Sequence, residues 1–323
     1  MTAAFIYDGR VSDRGWTFRH DVARKALDEE FDWLQTKFSE EVAPSNFTQN
    51  AKSYINQGAD IIFGTTFGFM DPMVEVAKDN PDISFENAVG IKMRENMGRY
   101  DAHFEEGRYF AGIAAGMVTE TNKLGFIGGF PIAFALRDLN AFTLGARSVN
   151  ADVTVIPRWM NTWADPPKSK QAVRALVDED VDVIAEGMDT TAADQAASDA
   201  DVWVSGIYSD LAGNKAGDEY LTSSIVNWEP IYREKVKEVR NDEFESEFVW
   251  GSMKDDVIQL DEWGPKVPSA AVSKADERKQ AYLDGEFDIW DGSKFEGKER
   301  RLPVRRDGLV RGRNQGLGTV LIT

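Results

Sequence analysis

Short apolar segments alternate with longer helical stretches along most of this chain, and this alternation restricts the fold more than any other feature. The short segments are apolar throughout, which is typical of parallel strands buried on both faces. Eight of them are predicted to be strands: residues 3–7, 60–64, 83–86, 123–128, 153–159, 181–185, 202–207 and 221–226. Strands that alternate with helices predict an α/β fold with doubly wound parallel sheets.

The stretches between these strands have helical spacing of their apolar residues. They predict helices over residues 17–38, 103–118, 137–149, 168–178, 190–199 and 228–240. The second of these reads HFEEGRYFAGIAAGMV and is rich in small residues. We therefore expect it to pack closely against a neighbouring helix.

The alternation stops and restarts once, which predicts two lobes. A polar stretch at 119–122 ends the first run, and the strand in KLGFIGGFP begins the second. No linker rich in Pro or Ser separates the two runs, so we expect several short hinge segments. The predicted N-terminal lobe contains residues 1–119 and 228–260, and the C-terminal lobe contains residues 120–227 and 261–323.

Composition excludes several classes of protein. The net charge of −18 repels phosphate backbones, so nucleic acid is not an expected partner. No apolar run reaches the length of about 18 residues that a membrane-spanning helix needs. The chain has no cysteine, which removes disulfides and thiolate chemistry. No hydrophobic leader segment follows Met1, and we expect that any secretory leader is not part of this sequence.

Ligands of parallel α/β sheets bind at the carboxyl ends of the strands, on the loops that lead into helices. These loops repeatedly carry an aromatic ring or a carboxylate. The candidate ligand-binding residues are Asp8, Trp16, Phe67, Glu86, Trp163, Asp189, Asp210, Asn227 and Trp228. Aromatic rings stack on the faces of a heterocycle, and carboxylates accept hydrogen bonds from its edge. The pattern therefore indicates a flat ligand with polar edges.

Several of these residues have an alternative role in packing or helix capping. Trp16 and Trp163 are each explained as well by core or lid packing. Asp165 precedes Pro166 and is expected to cap the helix that follows. Asp13 and Asp189 are further candidates for caps.

Motifs of known enzyme classes are missing from the sequence. The two histidines, His20 and His103, fall in predicted helices and show no metal-ligand spacing, so we expect structural or surface roles. There is no GxSxG motif, no Walker A loop and no GxGxxG motif after the first strand. We expect a protein that is not an enzyme and that needs no metal or cofactor.

The chain resembles the basic membrane lipoprotein family of ABC-importer binding proteins, whose members include purine nucleoside-binding lipoproteins. The resemblance covers nearly the whole chain. Its motifs are DRGWTFRHD (13–21), GADIIFGTTFGFMDP (58–72), ISFENAVG (83–90), EEGRYFAGIAAG (105–116), KLGFIGGFP (123–131), NAFTLGARSVN (140–150), NTWADP (161–166), SGIYSD (205–210), SSIVNW (223–228) and WGSMKDDVIQL (250–260).

The resemblance implies a type I periplasmic-binding-protein fold, with two lobes that are joined by three crossovers and close over a ligand. It also implies roles for particular residues. Asp8 would contact the ligand, Trp16 would stack on the base, Trp163 would be the second aromatic partner, and Asp210 would be a further ligand-contacting carboxylate. Nucleoside-binding relatives often carry Lys where this chain has Asn227, so Asn227 replaces a fixed cation with a neutral group.

We therefore predict an extracytoplasmic solute-binding protein, periplasmic or anchored at the cell surface. Its expected ligand is a purine base or nucleoside of the adenine, guanine, adenosine or guanosine class. Its expected partners are ABC permease subunits, and it is expected to be a monomer. Three alternatives stay open: the same fold with riboflavin or a sugar as ligand, an intracellular ligand sensor, and an enzyme built on two α/β lobes.

Overall fold

The computed structural model describes residues 1–12, 15–209 and 217–290. Within these residues the strands form two six-stranded sheets, and helices lie between most successive strands. The α/β class and the two parallel sheets that the sequence predicts are confirmed.

The first sheet is parallel throughout. It contains β1 (Thr2–Ile6), β2 (Gln35–Ser39), β3 (Ile61–Gly64), β4 (Ser84–Ala88), β5 (Met97–Ala102) and β11 (Phe248–Gly251). The strand order is β11-β5-β4-β3-β1-β2. The central strands β1 and β3 are almost completely buried, which explains their continuous apolar sequences.

The second sheet contains β6 (Lys123–Gly128), β7 (Thr154–Trp159), β8 (Val183–Gly187), β9 (Trp203–Tyr208), β10 (Tyr220–Val226) and β12 (Ile258–Leu260). Its order is β12-β10-β9-β8-β6-β7. The short edge strand β12 runs antiparallel to β10, and the other neighbours are parallel.

Helices cover the faces of both sheets. Their bounds are α1 (Trp16–Glu30), α2 (Phe47–Asn56), α3 (Met70–Asp79), α4 (Phe104–Val118), α5 (Ala133–Arg147), α6 (Pro166–Val177), α7 (Ala192–Ser198), α8 (Glu229–Asn241) and α9 (Ser269–Leu283). Pro72 and Pro230 lie in the first turns of α3 and α8, where a missing backbone N–H costs no intrahelical hydrogen bond.

The chain passes between the two sheets at three places. It leaves the first sheet after β5, returns after β10, and leaves again between β11 and β12. The segments 102–104, 226–229 and 251–258 therefore connect the two halves. Two details differ from the lobe bounds expected from the sequence: α4 packs on α5 and β10, and β12 pairs with the second sheet.

All eight predicted strands exist, each within two residues of its expected ends. The predicted helix 17–38 is wrong beyond Glu30, because residues 35–39 form β2. The sequence also missed β5, β11 and β12, together with helices α2, α3 and α9.

Helices α4 and α5 approach each other closely, as the small residues of α4 predict. A methyl group at Gly112 would collide with the backbone carbonyl of Phe142, and one at Gly145 would collide with the carbonyl of Tyr109. Glycine is needed at both positions because the two backbones are in contact there. This packing fixes α4, which leads out of the first crossover, rigidly to the second lobe.

Candidate functional site

The carboxyl edges of the two sheets face each other. A Cβ atom built on Gly15, just before α1, would lie 3.3 Å from the Cα atom of Asp189, just after β8. Arg19 of α1 donates from Nε to the carbonyl of Val226 at 2.6 Å. The loops that carry the candidate residues therefore line a closed interface between the lobes.

Five aromatic side chains meet at this interface. We call them the interlobe aromatic cluster: Trp16, His20, Phe104, Tyr208 and Trp228. The ring of Trp16 lies 5.6 Å from Tyr208, 5.5 Å from Trp228 and 4.8 Å from His20, each in an edge-to-face arrangement. Phe104 lies 6.0 Å from Trp16 and 5.8 Å from Tyr208. Edge-to-face packing is the favoured geometry of aromatic pairs.

Trp16 is held in place from the first lobe. It is the first residue of α1, and its indole Nε1 donates to the carbonyl of Thr65 at 2.7 Å. Thr65 directly follows β3, so the strand end fixes the orientation of the ring. A wall that is already ordered loses little entropy when a ligand stacks on it.

His20 lies beneath Trp16 in a chain of buried hydrogen bonds. Its Nδ1 lies 2.5 Å from the hydroxyl of Tyr232, which lies 2.8 Å from the hydroxyl of Tyr100. Its ring is parallel to that of Trp228, with the centroids 4.9 Å apart. Burial lowers the pKa of His20 well below its usual value, and Arg19 adds to this effect. The aromatic cluster on the first-lobe side is therefore uncharged, and Arg19 carries a charge beside it.

On its own side of the interface, the second lobe has buried ionisable side chains. We call Arg108, Asp138, Glu186 and Asp194 the buried charged cluster. Arg108 of α4 donates from Nη1 to the carbonyls of Ser205 and Gly206 at 3.3 and 3.1 Å. Its Nη2 donates to the carbonyl of Glu186. The guanidinium thus joins α4 to strands β8 and β9.

Burial favours the neutral forms of the three acids in this cluster. It raises the pKa of Asp138 and that of Asp194 from 3.8 to about 7, although Arg108 opposes the change. Burial also raises the pKa of Glu186 well above its usual value, and the nearby Asp194 raises it further. The second-lobe side is therefore polar, and protonation of these carboxyls keeps its net charge low.

Trp163 and Asp189 lie at the second-lobe edge and contact each other through the backbone. The amide of Asp189 donates to the carbonyl of Trp163 at 2.8 Å. The ring of Trp163 stacks on Phe134 at 5.4 Å and meets Phe130 at 5.5 Å. It also covers Gly129. In the described part of the chain, no ring contact joins Trp163 to a first-lobe residue.

The other candidates are more widely spread. Asp8 and Phe67 are both exposed at the first-lobe edge. Glu86 is fully buried within β4, near Lys235 of α8, and burial raises its pKa well above the usual value. This environment favours a structural role for Glu86. Asp210 lies outside the described residues.

Asn227 and Trp228 occupy the second crossover. The Asn227 side chain accepts from the amide of Glu229 at 3.2 Å and donates to the carbonyl of Asp256 at 3.3 Å. Asn227 therefore holds the start of α8 close to the third crossover. Trp228 is completely buried and forms the centre of the interlobe aromatic cluster.

The predicted capping roles have different outcomes. Asp165 caps α6, since its Oδ1 accepts from the amide of Lys168 at 3.0 Å, as predicted. Asp189 is not the cap of α7, because Thr191 takes that position. Asp13 is outside the described residues.

Sequence reasoning missed Phe104, Arg108, Asp138 and Tyr208 as residues of this region. The first three lie within helices, so their periodicity indicated only helical packing. Tyr208 ends β9 and lies two residues before Asp210. Its place at the end of a strand was the only feature of the sequence that could have indicated it. Among the residues that the structure describes, no group of side chains is arranged to hold a metal ion.

Comparison with known proteins agrees with this arrangement. Residues 1–290 match the Bmp family, described as ABC transporter substrate-binding protein PnrA-like. The protein TsgA13 of Haloferax volcanii, named as an ABC transporter glucose-binding protein, is 45% identical over 92% of this chain and 76% of its own length. A purine-binding protein of Brucella abortus is 37% identical over 93% of this chain and 86% of its own length.

The solved structures show the same fold. An ABC transporter system solute-binding protein from Conexibacter woesei superposes with a TM-score of 0.75 at 20% identity, covering 89% of this chain and 98% of its own. The two facing sheets and their three crossovers thus show the periplasmic-binding-protein fold.

Within that class, the chain belongs to the Bmp family of ABC transporter substrate-binding proteins. The resemblance inferred from the motifs is confirmed. Proteins of this family are extracytoplasmic binding components of importers and are not enzymes. Among the described residues, no helix combines the length and apolar character needed to cross a membrane.

Proposed function

We propose that this protein binds a purine base or nucleoside between its two lobes and delivers it to an ABC permease. The interlobe aromatic cluster carries the proposal. Its rings come from both lobes and from the crossovers, and they face a second lobe that supplies polar groups. A purine offers apolar faces for the rings and a polar edge for the carboxylates.

Glucose is the second candidate, because the relative with 45% identity is named for it. A sugar needs a hydrogen-bond partner for nearly every hydroxyl group, since each unpaired group in a closed site has a desolvation cost. The first-lobe side offers mainly ring faces. The indole Nε1 of Trp16 and the Nδ1 of His20 are already engaged, and the Nε2 of His20 and the Nε1 of Trp228 are single buried ring nitrogens without a partner among the described residues. This favours the purine, as does the name of the Brucella relative.

We further propose that the protein is not an enzyme, acts as a monomer, and is held at the cell surface or free in the periplasm. Trp16 supplies the main stacking wall, and Asp189 is the nearest candidate carboxylate on the opposite lobe. Roles for Asp8, Phe67, Asp210 and Asn227 in ligand contact stay predictions.

Thermal unfolding with separate ligands tests the proposal. Adenine, guanosine, riboflavin and glucose are each added to protein that has been unfolded, dialysed and refolded to remove a retained ligand. A purine at about 100 times its dissociation constant should stabilise the protein by about 2.7 kcal/mol. Stabilisation by glucose alone would contradict the purine assignment and support the second candidate.

Small-angle scattering on the same samples tests closure. A ligand that contacts both lobes favours the closed state by its differential affinity for the two states. The radius of gyration should therefore fall when the purine is added. Identical scattering with and without ligand would contradict binding between moving lobes.

A further inference from the structure

Arg137 of α5 and Trp250 of β11 contact each other across the boundary between the lobes. The guanidinium carbon of Arg137 lies 5.1 Å from the centroid of the Trp250 ring, which is a cation–π distance. We propose that this contact holds the two lobes closed. The inference rests on the proposed function, because such a contact changes ligand affinity only if the lobes close over the ligand.

The two residues belong to different rigid bodies. Arg137 lies near the start of α5, which follows β6 and packs closely on α4 in the second lobe. Trp250 lies one residue before the end of β11, which pairs with β5 in the first sheet. The contact therefore joins the carboxyl edges of the two sheets, which are the edges that separate when the lobes open.

Two further residues, from the first crossover and the start of α4, support this contact. His103 stacks on Trp250 with the ring centroids 4.2 Å apart, and its amide donates to the carbonyl of Gly251 at 2.9 Å. The carboxylate of Glu105 lies 2.9 Å from the Nδ1 of His103 and 3.6 Å from the Nε of Arg137. We call Arg137, Trp250, His103 and Glu105 the hinge latch. Its ring stack belongs to the first-lobe side, and its ion pair comes from the second lobe.

Burial determines how strongly the hinge latch acts. The side chain of Glu105 is 3% exposed and that of Arg137 is 30% exposed, so solvent screens their attraction only in part. The Nε and Nη2 of Arg137 are buried without a hydrogen bond to another described residue, which is a cost of closure. A cation–π contact acts within about 6 Å of the ring centroid, so an opening movement of about 1 Å at Arg137 begins to break it.

A double-mutant cycle on ligand affinity tests the hinge latch. Arg137→Met removes the cation, Trp250→Leu removes the ring, and a third variant carries both changes. Calorimetric titration with adenine gives the dissociation constant of each refolded protein, and Arg137→Gln replaces Arg137→Met if the latter does not fold. Arg240→Met is the matched control, because its guanidinium carbon lies 4.2 Å from the ring centroid of Trp33 within the first lobe.

We expect each single variant to weaken adenine binding by about 2- to 30-fold, the range that one cation–π contact produces. The double variant should bind no more weakly than the weaker single variant, because both substitutions remove the same contact. The loss should lie in faster dissociation, measured by stopped-flow fluorescence, because the contact forms as the lobes enclose the ligand.

Scattering of the ligand-free proteins gives a second readout. Arg137→Met should have a larger radius of gyration than the wild type, because its open state is more populated. Arg240→Met should change neither the affinity nor the radius of gyration, although it should lower the melting temperature. A contact that only stabilises the fold would behave like this control.

Additive losses in the cycle would overturn the hinge latch, because they would show that Arg137 and Trp250 act separately, as they would if Arg137 touched the ligand. Unchanged or tighter binding by Arg137→Met would also overturn it, since the buried guanidinium would then oppose closure. Failure of the proposed function looks different: the wild-type protein would bind glucose and not adenine, and the same cycle is then measured with glucose. If the wild type binds neither probe, equal radii of gyration for the ligand-free proteins would overturn the hinge latch as well.

Discussion

The two lobes present different surfaces to the same interface. The first lobe contributes Trp16 and His20, whose indole Nε1 and imidazole Nδ1 bond to Thr65 and Tyr232, while the Nε2 of His20 has no partner among the described residues. The second lobe contributes buried ionisable groups, with Arg108 joined to three carbonyls of β8 and β9 and Asp138 close to it. From this difference we expect the first lobe to contact the flat faces of the ligand and the second lobe to contact its polar edges.

Among the changes that test this difference between the lobes, the removal of Arg108 should have the largest effect. Arg108→Met would leave three buried carbonyls without a donor. We expect a loss of about 3–5 kcal/mol in the free energy of unfolding, measured with denaturant, because each buried acceptor without a partner costs about 1–3 kcal/mol. The control is Arg158→Met on β7, which removes an ion pair with the exposed Glu179 and should cost at most about 1 kcal/mol. Equal losses would show that the cluster does not stabilise the second lobe.

Trp16→Ala tests the aromatic side. It should weaken adenine binding by about 1–3 kcal/mol, because one stacking wall is lost. Trp33→Ala is the control, since Trp33 packs on Phe31 at 4.7 Å and lies before the amino end of β2, away from the interface. Unchanged affinity with reduced stability would instead assign Trp16 to core packing.

Asp138→Asn tests the charged side through pH. Because burial raises the pKa of Asp138 from 3.8 to about 7, the folded protein keeps a proton that the unfolded chain loses between these values. Rising pH through this window should therefore lower the free energy of unfolding. Asn imitates the protonated acid, so the variant's stability relative to the wild type should be greater at pH 8 than at pH 5 by up to about 3 kcal/mol. An equal effect at both values would contradict the raised pKa.

Chelation should have the smallest effect. A divalent ion in the buried charged cluster would make its acids ionised ligands instead of protonated groups. The described residues contain no group of side chains arranged for a metal. We expect EDTA to leave both adenine affinity and melting temperature unchanged. Loss of either, with recovery on adding a divalent cation, would show that the second-lobe edge holds a metal.

The fold could be predicted where burial produces a continuous apolar sequence. Strands β1 and β3 are buried on both faces and were found from the sequence. Strand β2 is a half-exposed edge strand with the sequence QTKFS, so no apolar run reveals it. Strand β5 contains Gly98, Arg99 and Asp101, so no continuous apolar run reveals it either. Contacts with other elements stabilise these residues in the strand.

The location of the site could be predicted only as far as the carboxyl edge of the sheets. Strand order determines which ends face the interface, and this order follows from tertiary pairing. Trp16 and Asp189 lie at that interface as expected, whereas Glu86 turns toward α8. The positions of Arg108 and Tyr208 at the site could not be predicted from the sequence. For Arg108 the position follows from the approach of α4 to β8 and β9, and for Tyr208 from a positive φ.

Trp228 packs both on the first-lobe core and on the rings of the interface. The hydrophobic core of the first lobe is therefore continuous with the aromatic rings of the interface. Any opening of the lobes must therefore expose aromatic surface to water, and closure must remove it. Apolar surface that is exposed to water raises the heat capacity of a protein. Ligand binding that drives closure should accordingly have a negative heat-capacity change, larger than the buried surface of a small heterocycle alone would produce. The enthalpy of binding would then become more favourable as the temperature rises.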